Sequence, residues 1–562
     1  MDLKRMLLVN LLVGITGRMQ YRRLRKVSKH PQRHSDITLR KIIFYAKDTV
    51  YGKEHNFDYI FKATSEEEFY RRFRENVKPN DYEDLRPYVE RHKHGEPDVL
   101  FHGKPVLYAT TSGTTAEPKW IPITRKYLWK IYVKMSRIWL YNFIRHRSTC
   151  FGGKVLAIVG KYKEGEAPDG TMYGSVSGVT RDDMPKFIQK LYANPQCVYD
   201  ISDYNARYYV LMRKSIEQDV TVIVTANPST IVEMQNNVNK YYDEYVKDIE
   251  NGTLSDLFDI EPEIRAEIES ALKPNPKRAA KLRKLKEKHG NVLPKHFWPN
   301  LQILSTWKCG NTAIYIDQFK DSFPKSMFHQ ELGYFSSECR FGLVLDDSIN
   351  TVLFPHYHFY EFVEESELDS PDPHFHLLHE LQEGKRYCAY VTTFAGLYRY
   401  NMNDLLEVGP KFMNTPTVHM IQKVNGIISL TGEKLHEKQL IDAVHRAEDV
   451  TGVKTRFFVG FADTEIRGYR FYYEFEDTTL SQQQAEEFNE VVDNKLKEIN
   501  MEYESKRDSL RLKLPVAHRL VSGSFEKFKE ECVAEGYRDG QFKIQLLMQD
   551  EFRHAKFKKL TL

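Results

Sequence analysis

An apolar run, Val106-Leu107-Tyr108, leads into a string of hydroxyls around one glycine, Thr110-Thr-Ser-Gly-Thr-Thr115, and Pro118-Lys119 closes the string six residues after Gly113. A strand delivering such a string makes a phosphate loop. The glycine lets backbone reach an anion with no Cβ in the way, hydroxyls and N–H groups donate to phosphate oxygens, and the lysine adds a mobile positive charge. A Walker loop is excluded, because there Gly-Lys-Ser/Thr follow in immediate succession. The plain alternative is a Ser/Thr-rich surface turn, but ordinary turns seldom combine a glycine, flanking hydroxyls and a spaced lysine.

The rest of the chain predicts a sheet behind this loop. Val155-Leu-Ala-Ile-Val159 and Val220-Thr-Val-Ile-Val224 are short apolar runs of buried-strand type, while Leu128 to Ile144 is amphipathic at helical spacing. Ser65 and Glu68 form a capping-box signature in the α-rich segment that precedes the loop. Strands alternating with helices argue for an α/β fold. At 562 residues the chain needs two or more domains. From Val424 the texture shifts to a helix over Glu437–Val450, strands at Phe457–Gly460 and Tyr469–Phe475, and a helix over Ser481–Asn500. The expected division is therefore a large N-terminal domain of mixed sheets and helices, 1–423, and a smaller α+β C-terminal domain, 424–562.

Formal charge is only +4 at pH 7, too weak for this length to argue for nucleic acid or a membrane as partner. Six cysteines are scattered singly, without a Cys-x-x-Cys pair, which fits a reducing cytoplasm. The basic run Lys277–His289 reads as a solvated helix face. Histidines 356 and 358, and 374, 376 and 379, have spacings that could ligate metal, but the alternation in Phe354–Phe362 is equally that of a half-exposed strand. Met1–Ile15 has the charged and apolar regions of a signal peptide; no small-residue cleavage site follows, and the run is too short to span a bilayer, so a helix docked on the core is expected.

The phosphate loop, through Thr111, Ser112, Gly113, Thr114, Thr115, Pro118 and Lys119, resembles the first core motif of the adenylate-forming superfamily, with Ala116 as a departure. Tyr334-Phe335-Ser336-Ser337-Glu338 resembles the second, in which the aromatic residue lies against adenine, the hydroxyls meet the phosphates and the glutamate holds Mg²⁺. Leu397-Tyr-Arg-Tyr-Asn-Met-Asn-Asp404 resembles the motif whose aspartate takes both ribose hydroxyls, a task suited to an acceptor-only carboxylate. Asn403 replaces the usual glycine there, and asparagine is the residue that best tolerates a left-handed turn. Gln422–Glu433 resembles the hinge motif, with Lys423 in place of arginine.

The strings Tyr334–Gly342, Leu381–Tyr387 and Val391–Tyr400 are similar to the auxin-responsive acyl-acid amido synthetases of plants, the Gretchen Hagen family, and their bacterial relatives. That resemblance implies activation of a small carboxylic acid by ATP and Mg²⁺, then acyl transfer to an amino acid; a monomer is expected, in the cytoplasm that the scattered cysteines favour. The resemblance places the acyl substrate near Trp307, Gly310, Asn311 and Asn227 and makes the C-terminal domain a mobile lid. Gly540-Gln-Phe-Lys543 resembles the family's segment carrying the catalytic lysine; Ile544-Gln545 departs from the usual Pro-Arg. An acyl-CoA ligase and a degenerate nucleotide-binding protein without turnover stay open as alternatives.

Overall fold

The computed structural model describes the chain apart from residues 1–2, 112–118, 162, 177, 179–185, 310–314, 369, 425–426, 429, 431–432, 434, 509–511 and 535–543. It separates into two compact units, Met1–Met402 with Glu407–His419, and Asn403–Leu406 with Met420–Leu562.

The first unit is built on a four-stranded parallel sheet in the order Lys154–Ile158, Val220–Thr225, Ile303–Thr306, Phe328–Glu331. Successive side chains of a strand point to opposite faces, and here both faces are covered. Leu156, Ile223 and Leu304 join a core with Tyr209, Val210 and Ile231. Val155, Ala157, Val222 and Ile303 face the other way, onto Val9, Phe143 and Phe151. This double burial is why the two apolar runs show no polar alternation.

Beside this sheet lies an antiparallel hairpin, Leu107–Thr111 with Lys119–Ile123, extended by Met172–Tyr173 and Gly165–Glu166. A third sheet has seven strands in the order His376–Leu377, Phe359–Glu364, Arg386–Thr392, Tyr400–Phe412, Thr415–Lys423, Thr351–Leu353, Gly342–Leu343. The strand Phe359–Glu364 is buried on both faces, not half-exposed as its alternation suggested, and His358 is fully buried. The string Val391–Tyr400 is scaffold: Arg399 takes a left-handed conformation (φ 43°) and pairs with buried Glu361 at 2.8 Å, while Tyr398 stacks on Tyr51.

The helix Val133–His146 follows a π-helical turn at Leu128–Tyr132. Against it packs the first helix, Leu3–Val27, with Met6, Val9, Leu24 and Val27 buried, so the expected docking on the core is present. Gly17 makes the close approach, since a Cβ there would collide with Tyr141 and the Arg137 carbonyl. The capping box is half formed: Ser65 Oγ accepts the Glu68 N–H at 3.1 Å, but Glu68 reaches Thr64 instead of the Ser65 N–H. The run Lys277–His289 is a helix burying only Ala279 and Leu282, the solvated face its composition predicts.

The second unit has a sheet ordered Val516–Arg519, Gly468–Phe475, Thr455–Asp463, Leu547–Met548, with the central pair antiparallel and each outer strand parallel to its neighbour. Helices Glu437–Thr451 and Gln482–Ile499 pack together, and Phe488 meets Tyr473 and Phe475 of the sheet. Their boundaries follow local chemistry. Ser481 and Gln484 complete a reciprocal capping box, and Gly452 (φ 73°) ends the first helix.

Candidate active site

In an open parallel sheet ligands sit beyond the carboxyl ends of the strands. Three of the four strand ends in the first unit lead directly into residues singled out by sequence. Thr225 is followed by Ala226 and Asn227, Thr306 by Trp307, and Glu331 by the Gly333–Glu338 turn. The Trp307 N–H donates to the Ala226 carbonyl at 3.0 Å, tying two exits together, and the Phe335 ring lies 5.2 Å from the Trp307 ring. Asn227, Trp307 and Phe335 thus share one edge of the sheet.

The Tyr334 motif is held from both sides. The Tyr334 N–H donates to Thr351 Oγ1 at 2.9 Å, and its ring packs 4.3 Å from Phe341. The Ser336 N–H donates to the Cys339 carbonyl at 2.9 Å, so Ser337 and Glu338 lie on a tight turn, both half-buried. Their oxygens suit a hard cation.

The phosphate loop itself, Ser112, Gly113, Thr114 and Thr115, lies outside the described residues. Its two stems do not. Thr111 pairs with Lys119 across the hairpin, and Lys119 Nζ sits 5.8 Å from the Tyr82 ring. The Tyr82 hydroxyl accepts the Trp120 N–H at 2.7 Å, anchoring that stem. The Gly174 N–H donates to the Tyr108 carbonyl, and the Ser175 N–H to the Lys161 carbonyl just past the first parallel strand. The loop stem is thereby fastened to the same strand-end edge. Gly310 and Asn311 also lie outside the described residues.

Sequence reasoning missed Glu331. It closes the last parallel strand, almost fully buried, and its carboxylate accepts N–H bonds from Lys308 and, at 3.0 Å, from Gly333. Burial pushes it up to about 7, restrained by those donors and the Lys308 charge. Cys309 Sγ is 3.7 Å from the same carboxylate. The available signal was an acid three residues before Tyr334, closing the short stretch that opens with Met327 and Phe328. Of the histidines considered for metal, His374 and His376 do come together, with Glu380 rather than His379 as the third group, their ligand atoms within 4.8 Å.

In the second unit Asp404 and Lys423 are brought together. The Asp404 side chain is 3% exposed, and Lys423 Nζ lies 2.5 Å from its Oδ1. Asn403 adopts φ 54°, the left-handed turn anticipated for it. Gln422 is buried and its Oε1 accepts the Lys438 N–H at 3.1 Å, while Glu433 accepts from the Leu430 N–H and the Tyr469 hydroxyl. Lys543 lies outside the described residues; Leu546, three residues on, is fixed by its N–H to Glu437 at 2.8 Å and its carbonyl to the Gly460 N–H.

This architecture is that of the adenylate-forming ligases that include the acyl acid amido synthetases. A solved GH3.15 acyl acid amido synthetase superposes with a TM-score of 0.82 at 20% identity, over 96% of this chain and 95% of that one. Profiles of the GH3 family N-terminal, central and C-terminal domains match residues 20–328, 351–423 and 438–551, and the chain belongs to the GH3 family. Among curated relatives it is 25% identical over 506 residues to an indole-3-acetic acid-amido synthetase, GH3.10, of Arabidopsis thaliana, covering 82% of this chain and 83% of that protein. It is 26% identical over 390 residues to the jasmonoyl–L-amino acid synthetase JAR4 of Nicotiana attenuata, covering 66% of each.

Proposed function

We propose that this chain is an ATP-dependent acyl-acid amido synthetase. A small carboxylic acid attacks the α-phosphorus of ATP, giving an acyl-adenylate and pyrophosphate. The amine of an amino acid then attacks the acyl carbon; AMP leaves with the bonding electrons of the acyl–phosphate link, and the amine sheds its proton. The reading rests chiefly on one observation, the three GH3 domain profiles matched in order along the chain.

Such a reaction needs positioning and charge stabilisation more than covalent help. The hydroxyls and N–H groups of Thr111–Thr115 with Lys119 cradle the phosphates. Tyr334 and Phe335 flank the adenine, Ser336 and Ser337 turn towards the phosphate side, and Asp404 receives the ribose hydroxyls, displacing the Lys423 ammonium that meets it in the free protein. Asn227, Trp307, Gly310 and Asn311 line the acyl pocket. Support for the pocket comes from Asn227 and Trp307 standing at the strand ends, where small ligands bind in open sheets. Mg²⁺ neutralises phosphate charge, and the Glu338 carboxylate on its half-buried turn is the group that would hold it.

The segment 424–562 acts as a lid hinged near Lys423 that delivers Lys543 for adenylation and then turns away for the amine. The single-chain enzyme works in the cytoplasm, the compartment its scattered cysteines favour. The test is pyrophosphate exchange into ATP with Mg²⁺, screened over aliphatic, aryl and indolyl acids. Acid-dependent exchange followed by amide formation is expected. Absence of exchange throughout would leave a nucleotide-binding protein without turnover, and thioester formation with CoA would make it an acyl-CoA ligase.

A further inference from the structure

The first helix carries a surface that the proposed chemistry does not use. Leu7, Leu8, Leu11, Leu12, Ile15 and Met19 are each between 40 and 62% exposed, on consecutive turns of one 25-residue helix. At 100° per residue they fall within an arc of roughly 140°, opposite the buried Met6, Val9 and Leu24 that dock on the core. Scattered exposed leucines are ordinary, but six neighbours on one helix face make an apolar strip of the kind that covers or inserts into something.

The charge around the strip says what. Between Leu3 and Ser35 the chain has nine lysines and arginines and no Asp or Glu. Arg18, Arg22, Arg25 and Lys26 are exposed, and continue the strip along the same side of the helix. The helix packed beside it comes from another acid-free stretch, Lys119 to Lys163, and sets Arg145 over the Tyr21 ring at 4.6 Å. Among the described residues no helix is long and apolar enough to cross a membrane. A helix with one face on the protein, the other apolar, and basic residues in line with it is built to lie in an interface plane, its leucines among acyl chains and its arginines at headgroup phosphates.

We infer that the exposed face of Leu3–Val27 docks this protein on anionic lipid bilayers. Apolar insertion and headgroup attraction act together, so binding needs both. The occupant is a bilayer rather than a second copy of the chain because a copy would bring the same acid-free, basic surface against itself.

Full-length protein is mixed with sucrose-loaded vesicles of phosphatidylcholine alone, or with about 30 mol% phosphatidylglycerol, and sedimented. Binding to the anionic vesicles is expected, at least about tenfold tighter than to neutral ones, and weakening as salt rises from about 0.1 M to about 0.5 M. The double variant Leu11→Glu, Ile15→Glu should lose at least about tenfold in affinity with an unchanged unfolding midpoint, as both side chains already face water. Arg22→Glu, Arg25→Glu should erase the preference for anionic lipid. Failure to sediment with either vesicle, or equal sedimentation of Leu11→Glu, Ile15→Glu, overturns the proposal. So does a dimer by light scattering that the same variant dissociates, which would assign the face to a second copy.

Discussion

Replacing Glu331 by glutamine tests the electrostatics of the strand ends. Each oxygen of the carboxylate takes a backbone N–H, from Lys308 and from Gly333, an arrangement that favours the ion. Burial outweighs it and lifts the group from its ordinary 4.5 up to about 7. Between those values the folded protein holds a proton that the unfolded chain has released. The stability contributed by Glu331 is therefore complete below about pH 4.5 and is lost as pH rises through about 7, by about 3 kcal/mol at roughly 1.4 kcal/mol per pH unit. Glutamine cannot titrate, and it has one acceptor oxygen where the acid has two. At pH 5 the Glu331→Gln protein should lie about 1–3 kcal/mol below the parent, because one of the two N–H groups loses its acceptor. That gap should close by about 3 kcal/mol towards pH 8, leaving the variant as stable as the parent or more so. Urea unfolding of both proteins from pH 5 to 8, without ligands, reads the difference directly. Two parallel stability profiles would show that Glu331 ionises like a solvated carboxyl and would refute the reasoning.

Glu338→Gln keeps shape and loses charge, so turnover should fall more than ATP binding, whereas Asp404→Ala should weaken ATP binding by about 1–3 kcal/mol in equilibrium titrations; equal small effects from both would show the site misplaced. Lys543→Ala should cripple pyrophosphate exchange and leave aminolysis of a supplied acyl-adenylate largely intact, and half-reactions that fall together, or do not fall, would remove the lid's main support. Glu361→Ala strands Arg399, which is 3% exposed, and should cost about 3–5 kcal/mol in chemical denaturation; a loss below about 1 kcal/mol would mean that solvent reaches the arginine.

The legible parts of the fold were those written in local pattern. Val155–Val159 and Val220–Val224 announce strands covered on both faces because positions of both parities are apolar there, the one hydroxyl, Thr221, being buried and donating to the Cys150 carbonyl. Ser481, Gln484 and Gly452 mark helix ends through hydrogen bonds made within a few residues. Asn403 could be expected in a left-handed turn because that tolerance is intrinsic to its side chain. What depends on distant partners stayed hidden. Nothing near Glu331 announces that Lys308, over twenty residues earlier, supplies an N–H to it. The alternation in Phe354–Phe362 misled because hydroxyl and charged positions there are buried too, Glu361 being claimed by Arg399 and, at 3.3 Å, by Arg74. A period-two pattern reports which residues are polar, and a buried ion pair breaks its link to exposure.

Net charge, too, is a whole-chain quantity, whereas the proposed bilayer surface turns on where the charges sit. A sum of +4 argues against an anionic partner only if charges of both signs are mixed over the surface. Here the stretches 3–35 and 119–163 have no acid, and the fold lays helices from both side by side, so the balancing carboxylates lie elsewhere in the chain. Screening confines each exposed charge to about 10 Å at 0.1 M salt, so a distant carboxylate does little to offset this face. What a bilayer meets is the local field and the leucines set in it. The same arithmetic applies to the proposed phosphate loop, where the Lys119 charge would act on groups within about a Debye length and not through the net charge of the whole chain.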